Sequence, residues 1–529
     1  MPINYIEKIL RARVYDVAEE TPLDRAPILS QRLGNEVYLK REDLQPVFSF
    51  KLRGAYNKIF SLEEEARARG VIAASAGNHA QGVALSASRF GIKALIVMPK
   101  TTPEIKVKSV RQLGAKIILH GDSYDEACAH AVQLAREKSL TFIHPYDDPE
   151  VIAGQGTIGM EILRHHMGDI HAIFVPVGGG GLIAGIASYV KFVRPEIRII
   201  GVEPDDADCL NRALKAKRRV IIKQVGLFAD GVAVKQVGKE PFRVAHHCVD
   251  EVITASTDEI CAAIKDIFED TRSIAEPAGA LAVAGMKKYV VRENMRDATL
   301  ICIESGANIN FDRLRYVAER AEVGEQREAL LAVTIPERPG SFLQFCRALG
   351  KRSITEFNYR YYDRSDAKIF AGIAISNGRN EREALIQHLE EKEFPVTDLT
   401  ENDLAKEHIR YMVGGHAPGP LNEAIYSLEF PERPGALLKF LSALGGRWNI
   451  SLFHYRNHGA AFGRVLMGIQ IPKGGRAAFR QCLDALGFVY QEETDNPAYR
   501  FFAGAGDSQA VRHDSASGVA QLGGCPRID

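Results

Sequence analysis

The sequence predicts an α/β protein whose first part is built on parallel sheet and whose last part is a duplicated α+β module. Two observations carry this. Over residues 1–322, short continuous apolar runs alternate with helical patterns, the signature of parallel strands covered on both faces. Beyond Gly324, the run Ile335-Pro336-Glu337-Arg338-Pro339-Gly340-Ser341-Phe342 returns as Phe430-Pro431-Glu432-Arg433-Pro434-Gly435-Ala436-Leu437, a long-period repeat that marks tandem modules. At 529 residues the chain also exceeds what one hydrophobic core organises, so two or three domains are expected.

The elements follow in order. Val71-Ile72-Ala73-Ala74 reads as a strand leading into a helix over about 80–90. Apolar runs at 93–98, 116–119 and 141–143 follow, separated by helices at about 103–113 and 123–138. The rhythm resumes at 170–175 and 197–202 and closes at 299–303, after which a charged helix over about 311–322 marks a boundary. In each later copy a short strand precedes the Pro-Gly turn, and an amphipathic helix and a second strand (from Ile354 or Ile450) come after it. A module at 329–401 and another at 424–496 are expected. From about Ala503 the chain turns Gly-, Ser- and Ala-rich without periodicity, the composition of a disordered tail over 503–529.

Composition narrows the function classes. Lys plus Arg and Asp plus Glu are each 67, so no basic excess recommends a nucleic acid or an anionic membrane as partner. The beginning Met1-Pro2-Ile3-Asn4-Tyr5 shows neither basic nor apolar leader character and no run is long enough to span a bilayer, which predicts a cytoplasmic protein. Eight cysteines are scattered without a Cys-x-x-Cys pair, neither a disulfide framework nor a zinc site. The pairs His165-His166 and His246-His247 are adjacent residues that point apart on a helix, so no metal is expected.

Four segments carry chemistry. In Ser49-Phe50-Lys51-Leu52-Arg53-Gly54-Ala55 a lysine sits between apolar neighbours at a helix start; burial lowers an amine's pKa and readies it for Schiff-base chemistry, and the helix dipole adds to this. A lone lysine is otherwise a solvated surface residue. Gly178, Gly179, Gly180 and Gly181 follow an apolar strand and open a helix at Leu182. Such residues let several N–H groups approach a phosphate at a helix N-terminus, although a tight turn would also use glycine. Ser75-Ala76-Gly77-Asn78-His79 again lies between strand and helix, able to present N–H groups to a carboxylate or simply to cap the helix. Ser305, in Glu304-Ser305-Gly306-Ala307-Asn308, follows the last strand. A rival reading takes Gly179-x-Gly181-x-x-Ala184 as a dinucleotide fingerprint with Glu203 as the ribose-binding acid; it leaves Lys51, Asn78 and Ser305 without a role.

In this order and spacing the four segments resemble the fold-type II enzymes dependent on pyridoxal 5′-phosphate (PLP), and among them the biosynthetic threonine ammonia-lyases, or threonine deaminases. The resemblance implies a tryptophan-synthase-β-like fold with two parallel-sheet lobes and the cofactor between them, over residues 1–322. It implies that Lys51 carries PLP as a Schiff base and, once displaced by the substrate amine, removes the Cα proton. Asn78 would bond the 3′-oxygen of PLP, Gly178–Gly181 with Leu182 would hold its phosphate, and Ser75, Ala76, Gly77, Asn78 and His79 would bind the substrate. Ser305 would face the pyridine nitrogen, where a hydroxyl leaves the ring a milder electron sink than a carboxylate would. That suffices to expel a 3-hydroxyl by β-elimination and disfavours transamination. The later modules look like ACT-type βαββαβ domains that bind amino-acid effectors, and could also serve assembly alone. The resemblance implies deamination of L-threonine, and of L-serine, as the first step of isoleucine synthesis by a homotetramer that isoleucine inhibits and valine relieves. A serine racemase or a catabolic dehydratase is the neighbouring alternative.

Overall fold

The computed structural model describes residues 4–502 other than 337–340, 351, 353, 362–365, 412–421, 432–439, 441–442, 445–446 and 457–461. The expected tail and the core of both Pro-Glu-Arg-Pro-Gly turns lie outside the described residues.

The first part holds ten strands: β1 (Leu23–Arg25), β2 (Glu36–Arg41), β3 (Val71–Ala74), β4 (Ala94–Met98), β5 (Lys116–Leu119), β6 (Thr141–Phe142), β7 (Ala172–Pro176), β8 (Arg198–Pro204), β9 (Glu251–Ala255) and β10 (Thr299–Glu304). They divide between two sheets. The smaller lobe is β5-β4-β3-β6, parallel throughout. The larger is β1-β2-β10-β7-β8-β9, parallel from β2 to β9 with β1 antiparallel at its edge. The central strands are wholly buried, as continuous Val/Ile/Ala runs demand in sheets covered on both faces. The antiparallel β1, together with β2 and β9, goes beyond the strands read from the sequence. β2 is Glu-Val-Tyr-Leu-Lys-Arg, and no apolar run announces it; Lys40 and Arg41 are buried there because Glu161 and Asp43 pair with them.

Four helices are drawn together by glycine, which lets backbones approach where a Cβ would collide. A Cβ on Gly154 would stand 2.8 Å from Gly54 Cα, joining the helix Lys51–Phe60 to the helix Pro149–His165. One on Gly185 would stand 2.6 Å from Gly156 N, joining that second helix to the helix Gly181–Val193. On the opposite side a Cβ on Gly82 would stand 3.0 Å from the Leu52 backbone, pressing the helix Asn78–Arg89 against the Lys51 helix. The three helix starts that carry the sequence motifs are thereby fixed relative to one another.

The last part comprises two four-stranded antiparallel sheets. In the first, β11 (Glu328–Pro336), β12 (Ile354–Tyr361), β13 (Asp366–Ala374) and β14 (Val396–Asp398) take the order β12-β13-β11-β14. With the helices Ser341–Leu349 and Gly378–Glu391 the succession is βαββαβ. In the second, β15 (Glu423–Pro431), β16 (Asn449–Arg456), β17 (Phe462–Gln470) and β18 (Tyr490–Glu492) repeat the order as β16-β17-β15-β18. Between them Leu330, Phe370, Ile425 and Leu466 share one apolar core. No helix among the described residues is long and apolar enough to cross a membrane, and none of their side chains cluster as a metal site.

Candidate active site

Parallel strands direct loops from their carboxyl ends, where α/β proteins place ligands. β3 runs into Ser75, β7 into the glycine loop and β10 into Ser305. Lys51 is the first residue of its helix, half-buried, with Nζ 5.1 Å from the Phe50 ring centroid. Leu52, its other apolar neighbour, is fully buried against Val14, Ala18 and Val47. Loss of hydration pushes the Lys51 amine down to about 8, against the pull of the Glu276 carboxyl, so about a tenth of it is neutral at pH 7, far more than for a solvated lysine.

Glu276 is the residue that sequence reasoning missed. It stands immediately before the helix Pro277–Glu293, is 4 % exposed, and its Oε1 accepts from Asn78 Nδ2 at 2.5 Å. Asn308 Nδ2 in turn donates to Asn78 Oδ1 at 2.7 Å and to the Val47 carbonyl at 2.8 Å. Burial, helped by the negative Asp230, pushes the Glu276 carboxyl up to about 7. Asp230 itself is held down to about 2 despite burial because Lys106 and Arg313 face it; Lys106 Nζ reaches it at 2.7 Å from the smaller lobe. The signal in the sequence was an acid leading into the almost wholly apolar stretch 277–286, where a solvated first-turn acid is the ordinary reading.

The glycine loop places Gly180 at φ 89°, a left-handed conformation that favours glycine. A Cβ on Gly179 would fall 2.2 Å from the Tyr146 ring, and one on Gly181 would stand 3.0 Å from the Tyr146 backbone. Among the described residues, the amides of Gly179, Gly180, Gly181 and Leu182 donate to no backbone carbonyl, the unsatisfied donors of a helix start. A run of free amides at the positive end of a helix suits a phosphate. Together with the depressed amine of Lys51, these residues fit PLP.

Ser305 is 3 % exposed; its Oγ donates to the Ala278 carbonyl at 3.3 Å, and its own carbonyl receives Phe50 N at 3.4 Å. Gly306 pairs with Ser49 in an isolated bridge, so the Ser305 turn abuts the Lys51 helix start. Ser75 Oγ accepts from Gly77 N at 3.2 Å, and Gly77 has open space where a Cβ would point. The His79 ring is buried, its Nε2 is 2.9 Å from the Ile143 carbonyl, and burial, with the Lys51 charge adding to it, drives its pKa down to about 3. Glu203 is also committed to the fold. Both its oxygens accept at 2.8 Å from Leu210 N and Asn211 N at the start of the helix Cys209–Ala216, which removes the acid that a dinucleotide reading requires.

Comparison with known proteins agrees with this arrangement. Residues 14–306 match the model of the pyridoxal-phosphate dependent enzymes, and 319–409 and 414–503 each match the C-terminal regulatory domain of threonine dehydratase. A biosynthetic L-threonine dehydratase of Burkholderia multivorans is 59% identical over 502 residues, 94% of this chain and 99% of that one. The Escherichia coli enzyme of the same description is 54% identical over 501 residues, 94% of this chain and 97% of its own. The chain belongs to the biosynthetic threonine dehydratase family. Among solved structures, the processed form of threonine deaminase isoform 2 from Solanum lycopersicum shares 50% identity at a TM-score of 0.59, covering 60% of this chain and 92% of that one. Maize serine racemase shares 32% identity at a TM-score of 0.56, covering 59% and 96%. The family uses pyridoxal phosphate, which removes the dinucleotide alternative.

Proposed function

We propose that this chain deaminates L-threonine to 2-oxobutanoate and ammonia by β-elimination of water, accepts L-serine as well, and opens isoleucine synthesis under feedback by isoleucine with valine opposing. The observation that carries the reading is that Lys51, its amine depressed by burial and pulled by Glu276, lies beside the Ser305 turn, that Asn78 bonds Glu276, and that the glycine loop packs on the Asp230–Val232 segment that also reaches Glu276. When bound, PLP supplies the electron sink that makes the substrate Cα proton removable.

The chain's own residues do the rest. Lys51 anchors the cofactor and then takes the Cα proton; an amine held near 8 is a competent base at neutral pH. Gly178, Gly179, Gly180, Gly181 and Leu182 would hold the phosphate, and Asn78 would bond the cofactor's 3′-oxygen. Ser75, Ala76, Gly77 and Asn78 receive the substrate carboxylate in the open space beside Gly77. His79 contributes through its backbone, its ring being occupied at Ile143. Glu276 fixes the Asn78 amide and, with a carboxyl near 7, exchanges a proton at working pH. Ser305 offers the pyridine nitrogen a hydroxyl and no negative charge.

The catalytic unit is 1–322, and the modules at 329–401 and 424–496 are the effector domains of a homotetramer. The doubled module distinguishes this reading from a serine racemase or a catabolic dehydratase. Release of 2-oxobutanoate from threonine, with and without isoleucine, tests it. Racemisation of serine without keto-acid release would overturn it.

A further inference from the structure

The helix Arg313–Gly324 contacts the Asp230 loop at one end and, at the other, the segment 403–407 between the two regulatory modules. At its beginning, Arg313 donates to the Phe228 carbonyl at 2.8 Å and approaches Asp230 at 3.5 Å. One turn on, the Tyr316 ring packs 5.3 Å from that of Phe228. Both contacts hold the loop whose Asp230 is joined across the cleft to Lys106 of the smaller lobe. At its end, Gly324 is pressed so closely on the helix Thr257–Thr271 that a Cβ would meet the Asp258 carbonyl at 2.0 Å.

Near this second end six charged side chains form one network. Arg320 pairs with Asp258, with Asp403 at 2.7 Å and with Glu407 at 3.3 Å. Lys406 pairs with Asp258 at 2.7 Å, and Arg464 on β17 reaches the other Glu407 oxygen at 2.8 Å. Three cations face three anions. Arg320, Lys406, Asp258 and Glu407 are buried, whereas Arg464 is half-exposed. Glu407 is the junction. One oxygen serves the linker helix through Arg320 and Tyr316, and the other serves the second regulatory module through Arg464.

We infer that Glu407, bonded at once to Arg320 and Arg464, couples the second regulatory module to the cleft through the helix Arg313–Gly324. The inference rests on the effector reading above. A helix of 12 residues moves as a rod of about 18 Å, so a displacement at Arg320 is delivered at Arg313 to the Asp230 loop. A buried ion pair is either made or leaves an uncompensated charge, which gives the junction two states for an effector to choose between.

The test uses the full-length holoenzyme and the variants Glu407→Gln and Arg464→Met, with Arg379→Gln, in an exposed pair with Glu383, as control. Isoleucine binding is read by calorimetry, and inhibition as the change in apparent threonine affinity. In the native chain and in Arg379→Gln that change should fall in the ordinary allosteric range of about 5- to 150-fold. In Glu407→Gln and Arg464→Met it should shrink to about twofold or less while isoleucine still binds. If the buried Glu407 variant does not fold, the half-exposed Arg464 variant carries the same test. Native inhibition with equal inhibition in the folded variants overturns the coupling route alone. A native chain that isoleucine neither binds nor inhibits overturns the effector reading, and this inference with it.

Discussion

Two sets of buried charges flank the Lys51 helix, and they are treated in opposite ways. Behind the helix, Lys40, Glu42, Arg53 and Glu161 are all 0 % exposed. Arg53 donates to both Glu42 oxygens at 2.8 Å, to Glu161 at 3.0 Å, to Thr157 and to the Glu19 carbonyl, while Lys40 bonds Glu161 and the Thr21 carbonyl. Two cations meet two anions with their hydrogen-bonding capacity used, and the guanidinium is held charged despite burial. On the other side Glu276 is buried and Lys51 half-buried, and the two share no hydrogen bond or ion pair. Burial moves them toward each other, one down to about 8 and the other up to about 7. Saturated pairing freezes charge; unsaturated burial leaves a proton free to move. The first set is locked in place, and the second is the one the proposed chemistry would use.

The largest effect expected from this contrast is at Lys51. Lys51→Ala should cut turnover by about 10⁴-fold or more, because the proposed anchor and base would be lost together. The circular dichroism spectrum should stay native and the visible absorbance of a lysine-linked cofactor should vanish. Near-normal activity would put the reactive amine elsewhere.

Arg53 lies two residues away and should behave differently. Arg53→Met leaves Glu42 and Glu161 buried against a single cation, Lys40, and removing one partner of a buried pair costs about 3–5 kcal/mol. Chemical unfolding measures this directly. Cofactor that the folded fraction retains should keep its lysine-linked absorbance. A variant as stable as the native chain would mean that the charges behind the helix are not a coupled set.

The unequal legibility of the two sets follows from the same physics. Asn78, the glycine loop and Ser305 stand out in the sequence because each follows a strand, and Lys51 because it opens a helix between apolar neighbours, places where residue type and local spacing agree. The alternating strands at 71–74, 94–98 and 172–176 were visible because parallel sheet buried on both faces writes continuous apolar runs. β2 escaped because Lys40 and Arg41 are interior only by virtue of Glu161 and Asp43, partners that one-dimensional pattern cannot supply. Glu276 escaped for the same reason: an acid before a proline at a helix start looks solvated until the fold brings Asn78, distant in sequence, onto it.

Glu276→Gln probes that missed position. It keeps an acceptor for Asn78 and removes the charge that raises the Lys51 pKa. The amine should therefore fall below about 8, read from the pH dependence of Lys51 labelling in cofactor-stripped protein. Turnover should drop by about 10²-fold if the carboxyl moves a proton. The linkage sign is definite. A folded-state pKa raised from 4.5 to about 7 gives stability that is full below 4.5 and lost as pH rises through 7. The native chain should lose stability across that interval relative to the Gln variant. Parallel stability profiles would show Glu276 titrating as it does in the unfolded chain.

The smallest and most discriminating change is at Ser305, which holds neither an ion pair nor a strong hydrogen bond. Its 3.3 Å contact to the Ala278 carbonyl is long, so Ser305→Ala should cost about 1 kcal/mol or less of stability. Ser305→Asp places a carboxylate in a site 3 % exposed, opposite a carbonyl that cannot donate to it. A buried charge without a donor seeks a proton, and in the proposed arrangement the pyridine nitrogen of the bound cofactor would carry it. Holding that nitrogen protonated strengthens the electron sink, and side reactions such as racemisation and transamination should rise several-fold relative to elimination. The cofactor spectrum should shift with them. The Ala variant separates charge from mere loss of the hydroxyl, since it should leave the product ratio unchanged. An unaltered ratio and spectrum in Ser305→Asp would place Ser305 away from the ring nitrogen and return it to the role of a turn residue between β10 and the Lys51 helix.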